Sequence, residues 1–310
     1  MSSVRIAAVV VNWNGGEDNL RCLASLVDQV PALDPILFVD NASSDGSPER
    51  VAERFPDVEL LCNASNEGYG GGNNRGIARA LELGSDYVLI VNNDVTVPAG
   101  TLAGLLAELE LHPEVGIVGP RVLLANDPGR VWAAGGLITW RQNLTTLRGH
   151  MAPDDARWQR TAPVDYVTGC CMLVRREVFE RVGCFDAAYF AYTEDVDFAI
   201  RAHKAGFASR CVGGVTALHA PSSATGGGYN PRRKYMMGVN SIWFMRRYAR
   251  WQDWCKFLVF DVLSLPFAWF AGLFRGRGKA VLAKAWGIFD GLRGRRITGD
   301  VVRSGSGWLW

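Results

Sequence analysis

Apolar residues in the first hundred positions come in short unbroken runs, each followed by a segment of helical spacing. Val4–Val11 is continuous and β-branched, as a strand buried on both faces requires. Leu20, Leu23, Leu26 and Val27 then recur at the helical period. The alternation continues with strands at Ile36–Val39, Val58–Leu61 and Tyr87–Val91. Helices are expected near Pro48–Phe55 and Asn73–Leu83. A βαβαβαβ order predicts an α/β fold built on a doubly wound, mostly parallel sheet. Past about Val97 the pattern loosens toward an α+β half. The expected divisions are a larger domain over 1–230, with halves 1–97 and 98–230, and a helical region over 231–310.

Polar clusters follow each of the four strands. They are Asn12-Trp13-Asn14, then Asp40 through Ser47, then Cys62-Asn63 with Asn66-Glu67-Gly68, then Asn92-Asn93-Asp94. Open α/β sheets bind ligands at the carboxyl ends of their strands. Turn chemistry alone accounts for one or two such clusters, since Asn, Asp, Ser and Gly all favour turns. It accounts less well for four on one edge.

Composition sharpens the picture at the C-terminal end. The chain has 310 residues and a formal net charge of +2. Residues 232–310 carry fifteen Lys/Arg against four Asp/Glu, so the remainder is acidic. Phe257–Phe274 is nearly all apolar and rich in Phe and Trp, broken by Asp261 and Pro266 and flanked by Arg and Lys. A bilayer span needs about twenty clean apolar residues. The expectation is therefore helices lying in the membrane interface, basic side toward anionic head groups, with a hairpin packed on the protein itself as the alternative. Basic residues interleaved with Trp and Phe fit lipid better than nucleic acid, so no nucleic-acid partner is expected. The seven cysteines show no C-x-x-C pair and read as reduced thiols. Ile6–Val11 is too short for a secretory leader, so a cytoplasmic location is expected, peripheral on the inner face of the membrane.

Several residues could carry chemistry. Asp94 offers a hard oxygen ligand for a divalent cation just past a buried strand. Asn92 and Asn93 can hydrogen-bond a ribose or base without adding charge. Asp40 suits a ribose hydroxyl or a base N–H. The G-x-G-x-x-G of a dinucleotide fold should follow strand one, but Asn12-Trp13-Asn14-Gly15-Gly16 stands there. The run Gly68–Gly72 comes after strand three and is expected to let the backbone approach a ligand closely ahead of a helix starting at Asn73, with a flexible connector as the alternative. Thr193 reads as an N-cap, with Gly206 at C′. Glu194 and Asp195 then occupy a first turn whose dipole would hold a general base ionised. His219 ends the run Val212–Leu218 and gains interest as a partner for Asp94. The Gly-rich stretch Ser222–Tyr229 could close over a ligand.

Taken together, Val9–Asn14, Val39–Ser47, Asn66–Gly76, Asn92–Asp94, Thr168–Arg176, Gly183–Asp186 and Thr193–Asp197 resemble family 2 of the inverting glycosyltransferases. The likeness runs over roughly residues 4–220, in the family's order, and is nearest the bacterial rhamnosyltransferase-like subgroup. It implies the GT-A fold and transfer of a sugar from a nucleotide donor onto a saccharide or lipid-linked acceptor in cell-surface polysaccharide synthesis. By resemblance Asp40 binds donor base or ribose, with Val11, Asn12 and Asn66 nearby. Asn73, Asn92 and Asn93 are counted with the donor site. Asn92 replaces the first carboxylate of Asp-x-Asp, leaving Asp94 and His219 to hold Mn2+ or Mg2+. Asp195 would be the catalytic base and Glu194 would touch the acceptor. Val239 stands before Asn240 where the family often has a basic residue. Rhamnose from a thymidine-diphosphate donor (dTDP-rhamnose) is expected first. Galactofuranose or N-acetylhexosamine from a uridine-diphosphate donor comes second, and an inactive GT-A scaffold third. A sugar-1-phosphate nucleotidyltransferase would need a basic Gly-rich loop after strand one, which is missing.

Overall fold

A computed structural model describes residues 4–220 and 229–302. The stretch 222–228, expected above to cover a ligand, lies outside the described residues. The strands are β1 (Ile6–Asn12), β2 (Ile36–Asp40), β3 (Glu59–Cys62), β4 (Tyr87–Asn92), β5 (Val95–Thr96) and β6 (Val115–Leu124). They continue as β7 (Asp127–Ala133), β8 (Gly136–Ile138), β9 (Thr145–Leu147), β10 (Ala162–Pro163), β11 (Cys171–Arg175) and β12 (Ala208–His219). The helices are α1 (Asp18–Val27), α2 (Ser47–Arg54), α3 (Gly68–Glu82), α4 (Thr101–Leu111) and α5 (Arg176–Val182). After them come α6 (Glu194–Lys204), α7 (Pro231–Tyr248), α8 (Trp251–Phe257), α9 (Leu265–Leu273) and α10 (Gly278–Leu292).

One sheet runs in the order β10-β12-β6-β11-β4-β1-β2-β3, with β5 on β12 and β7 on β6, and β8 and β9 form a separate pair. The first four strands are parallel, as the alternating pattern predicts, while β11 inserts antiparallel between β4 and β6. Strand β1 shows why its sequence has no polar alternation. Ile6, Ala8 and Val10 enter one core with Phe38, Leu89 and the helix residues Leu23 and Leu26. Ala7 and Val9 enter the opposite core with Val39, Ile90 and Ile77. Both faces are covered, so both phases of the pleat must be apolar.

The residues divide into two compact units that do not follow chain order. The larger comprises 4–137, 147–186 and 195–220; the smaller gathers 138–146, 187–194 and 229–302. The sheet takes strands from both sides of position 97.

The helix begins earlier than the expected Asn73: α3 starts at Gly68 and the glycines form its first turns, so the alternative of a connector falls away. A Cβ at Gly72 would sit 2.8 Å from Val11 Cγ1, and one at Gly76 would sit 2.4 Å from Val9 Cγ1. Small residues let the helix lie directly on β1, and that contact outweighs glycine's poor helix propensity of about 1 kcal/mol per residue.

In the smaller unit α7 and α10 cross closely. A Cβ at Gly287 would meet the Tyr235 carbonyl at 2.1 Å, and one at Gly291 would meet the Val239 carbonyl at 3.0 Å. Glycines four apart on one helix allow such an approach. Trp251–Leu273 is a 23-residue helical run long and apolar enough to cross a membrane, with only 17% of its most apolar window buried. It is longer than the sequence suggests because Trp251–Lys256 continues the helix upstream and a π-helical turn at Leu258–Val262 bridges to α9. Phe267 and Phe274 are 80% and 79% exposed. Asp261 inside this run is buried and paired with Lys284 of α10.

Candidate active site

The strand-end clusters assemble into one hydrogen-bonded network in the larger unit. Asn12, fully buried at the end of β1, directs its amide at Asp40 Oδ1 (2.7 Å), Ser43 Oγ (3.0 Å) and Ser47 Oγ (2.7 Å). The Ser43 N–H donates to Asp40 Oδ2 at 2.9 Å. Asn12 Oδ1 accepts the Gly15 N–H at 3.0 Å. Asn93 reaches the same region, donating to Asn19 Oδ1 at 2.9 Å. Asp40 and Asn12 are therefore committed first to holding the loops after β1 and β2 in register. Val11 at the end of β1 is half-buried and packs beside Gly72.

Asn66 and Asn73 serve α3 itself. Asn66 Oδ1 accepts the Gly68 N–H at 2.9 Å, closing a turn where Gly68 takes a φ of +75°. Asn73 is 1% exposed and donates to the Tyr69 carbonyl one turn back at 2.9 Å. It lies within the helix packing, away from any accessible surface.

At the end of β4 the chain turns through Asn92-Asn93-Asp94 into β5, which pairs antiparallel with β12 so that Val95 faces His219. That register brings His219 Nε2 to 3.4 Å from Asp94 Oδ1. Both side chains are about nine-tenths buried. At 3.4 Å the pair is too long for a good hydrogen bond. Ligand atoms about 2.1 Å from one ion and at right angles lie about 3 Å apart, so the spacing suits two donors sharing a cation. A carboxylate with an imidazole suits Mn2+ or Mg2+ chemistry. Among the described residues no group of three His, Cys, Asp or Glu side chains gathers to hold a metal by itself. Trp132 packs edge-on against the His219 ring, centroids 4.4 Å apart, fixing its plane.

Asp195 opens α6 and is tied to the same edge by the turn before β11. The Gly169 N–H donates to Asp195 Oδ2 at 3.0 Å, and the Cys170 carbonyl accepts the Asn92 N–H at 2.9 Å. Two consecutive residues thus connect the helix tip to the strand end that carries Asp94. Tyr69 Oη closes the other side on the Gly169 carbonyl at 2.5 Å. The expected dipole effect on Asp195 needs correction. Burial raises its pKa above the ordinary carboxylate value, outweighing the N–H groups of Gly169 and Val196 that favour the anion. Sequence reasoning counted the helix dipole and left out desolvation. A carboxylate lifted in this way is a better proton acceptor than an ordinary one.

The residue before α6 also departs from expectation. Thr193 has a φ of +83°, outside the extended region typical of an N-cap, and Phe190 and Tyr192 are likewise left-handed at +63° and +70°. Gly206, with φ +94°, does close the helix as expected. In the smaller unit, Asn240 of α7 holds this bent loop. Its amide donates to the carbonyls of Tyr189 (3.0 Å), Ala191 (2.9 Å) and Tyr192 (2.7 Å). Glu194, next in the chain, is buried. Nearby Asp197 is structural: it pairs with Arg201 at 2.8 Å, fully buried. Asn240, Gly169 and Trp132 were not singled out from the sequence for these roles.

All seven cysteines are free, and burial pushes the thiols of Cys22, Cys170 and Cys171 far above the ordinary value. None of these three is poised as a nucleophile.

Residues 7–183 match the family model described as "Glycosyl transferase family 2". Over 245 residues the chain is 34% identical to the N-acetylglucosaminyl-diphospho-decaprenol L-rhamnosyltransferase of Mycobacterium tuberculosis, covering 71% of this chain and 78% of that protein. It is 22% identical to the dTDP-rhamnosyl transferase RfbF of Shigella flexneri over 215 residues, 69% of each. Among solved structures, a mannosyltransferase of Pyrobaculum calidifontis in complex with GDP-Man and Mn2+ superposes with a TM-score of 0.58 at 18% identity. That superposition covers 94% of this chain and 88% of that one. The GT-A fold expected from the motifs is borne out.

Proposed function

The chain belongs to glycosyl transferase family 2, and from that premise we propose that it is an inverting, metal-dependent rhamnosyltransferase acting on a lipid-linked saccharide. One observation supports the chemistry most: residues 169 and 170 tie the carboxylate of Asp195 to the strand end that presents the Asp94–His219 pair. A base and an ion-sized donor pair then border one edge of the sheet, as single displacement requires.

In this reading the acceptor hydroxyl attacks the anomeric carbon from the face opposite the nucleoside diphosphate. Asp195 takes the hydroxyl proton, held in place by the Gly169 N–H. Asp94 and His219 would hold a divalent cation, Mn2+ or Mg2+, whose chemistry is to neutralise charge on the diphosphate. The Asn12–Asp40–Ser47 network fixes the loops that receive base and ribose, and Asn92 and Asn93 add neutral polar contacts. Glu194 lies beside the base in sequence and is assigned to the acceptor. No covalent enzyme intermediate is needed, which agrees with the buried, unactivated thiols of Cys22, Cys170 and Cys171.

The choice of sugar is supported by two relatives: one is a rhamnosyltransferase at 34% identity, and another is named a dTDP-rhamnosyl transferase. The lipid-linked acceptor is supported by the first relative and by the exposed aromatic surface of α8 and α9. That surface suits a protein resting on the cytoplasmic face of a membrane, with basic residues against anionic head groups.

The decisive experiment is a transfer assay with Mn2+ and a panel of nucleotide sugars on a lipid-linked N-acetylhexosamine acceptor. Turnover with dTDP-rhamnose and an inverted product is the expected result. Transfer from uridine-diphosphate sugars alone would replace the sugar assignment, and no transfer from any donor would favour an inactive scaffold.

A further inference from the structure

Cations collect in the helical unit with too few acids to balance them. Tyr229, 48% exposed, has Lys234 Nζ 4.9 Å and Arg277 Cζ 4.4 Å from its ring centre. Arg233 lies over the Tyr192 ring at 5.1 Å, and its Nε is buried with no hydrogen-bond partner among the described residues. The acid whose charge Lys234 feels, Asp261, is already taken. One of its oxygens meets Lys284 and the other accepts the Asn143 N–H at 3.3 Å. Lys284 also donates to Asn143 Oδ1 at 2.9 Å. Among the described residues no carboxylate forms an ion pair with Arg233, Lys234 or Arg277. The imbalance is felt at Lys234. Burial, then the charges of Lys284 and Arg233, bring its pKa down to about 8.

Apolar surface adjoins the charge. Arg277 follows Phe274 by three residues, and Leu273 and Phe274 are 50% and 79% exposed. Trp269 lies beside the start of α10, its Nε1 3.6 Å from where a Cβ at Gly278 would be. A ligand matching both features carries concentrated negative charge on one end and a hydrocarbon chain on the other.

We propose that Arg233, Lys234 and Arg277 form the binding site for the diphosphate of an isoprenoid-diphosphate acceptor, with its chain along the exposed face of α9. This rests on the reading of the protein as a transferase for lipid-linked saccharides. Three cations match the charge of a diphosphate, and the Tyr229 ring holds two of the three in place before the ligand arrives. A free inorganic anion would satisfy the charge and leave the apolar face unused.

The test titrates the full-length protein in neutral detergent with farnesyl diphosphate, farnesol and inorganic pyrophosphate, followed by tryptophan fluorescence. Farnesyl diphosphate is expected to bind about tenfold or more tightly than either other probe. Lys234→Gln with Arg277→Gln should bring its affinity down to that of farnesol, while Arg277→Lys retains much of it. Arg277 is exposed, so Arg277→Gln alone serves if the double variant melts early. Unchanged affinity in folded variants overturns the proposal. So does an equal loss of dTDP binding, which would assign the cations to the donor, or pyrophosphate binding as tightly as the lipid. A wild-type protein that binds farnesyl diphosphate yet moves no sugar would refute the transferase reading and leave this site standing.

Discussion

The strand-end network and the C-terminal helices handle their polar and apolar groups in opposite ways. In the network, Asn12, Asp40, Ser43 and Ser47 satisfy one another, so loops from different strands are tied together within the chain. In the helical unit, Phe267, Phe270 and Phe274 face outward and three cations lack ion-paired acids among the described residues. The first region is preorganised for a polar ligand, and its order is paid for within the chain. The second leaves its apolar face uncovered and these cations without acid partners among the described residues, a pattern associated with binding surfaces.

The contrast is broken or sharpened by perturbing each side in turn. The largest effect is expected from Asp195→Asn, which should lower kcat about a hundredfold to ten-thousandfold with nucleotide affinity unchanged. Near wild-type turnover would remove Asp195 as the base. On the other side, Phe267→Ser with Phe274→Ser should weaken binding to vesicles containing anionic lipid at least about a hundredfold, given about 1.5–3 kcal/mol for each buried aromatic ring. If sedimentation with vesicles is unaltered, the exposed face meets some other partner. Asp94→Ala is expected to abolish the Mn2+ dependence of dTDP affinity, a change of about tenfold to a hundredfold by calorimetry. Equal affinity with and without Mn2+ in the wild type would contradict the metal pair. Asn240→Ala frees three carbonyls and should cost about 1–3 kcal/mol in urea unfolding.

The smallest effect concerns pH. Asp195 has a raised pKa when folded, so its contribution to stability is greatest below the unfolded value and is lost as pH rises through the folded one. At neutral pH the buried charge is a cost. Asp195→Asn should therefore melt slightly above wild type at pH 7, with the difference vanishing near pH 4. Activity should show the mirror image, since the base must be ionised, with an acid limb set above the ordinary carboxylate range.

Most of the larger unit was legible because β1, β2 and β4 are buried on both faces and must be continuously apolar. The Gly-rich start of α3 was not, because helix propensity speaks against glycine and only contact with Val9 and Val11 makes it necessary. Asp94 and His219 were expected as a pair, with Asp195 as the base, from motif order and resemblance alone. What joins them, the β5–β12 register and the turn at Gly169, is long-range pairing that no local pattern encodes. The role of Asn240 was hidden in the same way, since its partners lie about fifty positions away.

The close crossing of α7 and α10 sets a rule for shortening this protein. Removing the hydrophobic tail to ease expression would be tempting, and a cut ahead of Gly278 keeps every residue of the sheet. It would also strip the backbone of α7 along Tyr235 and Val239 of its neighbour, one turn from Asn240. A soluble version is better obtained by repainting the outward side of α8 and α9 with polar residues while leaving Gly287 and Gly291 untouched.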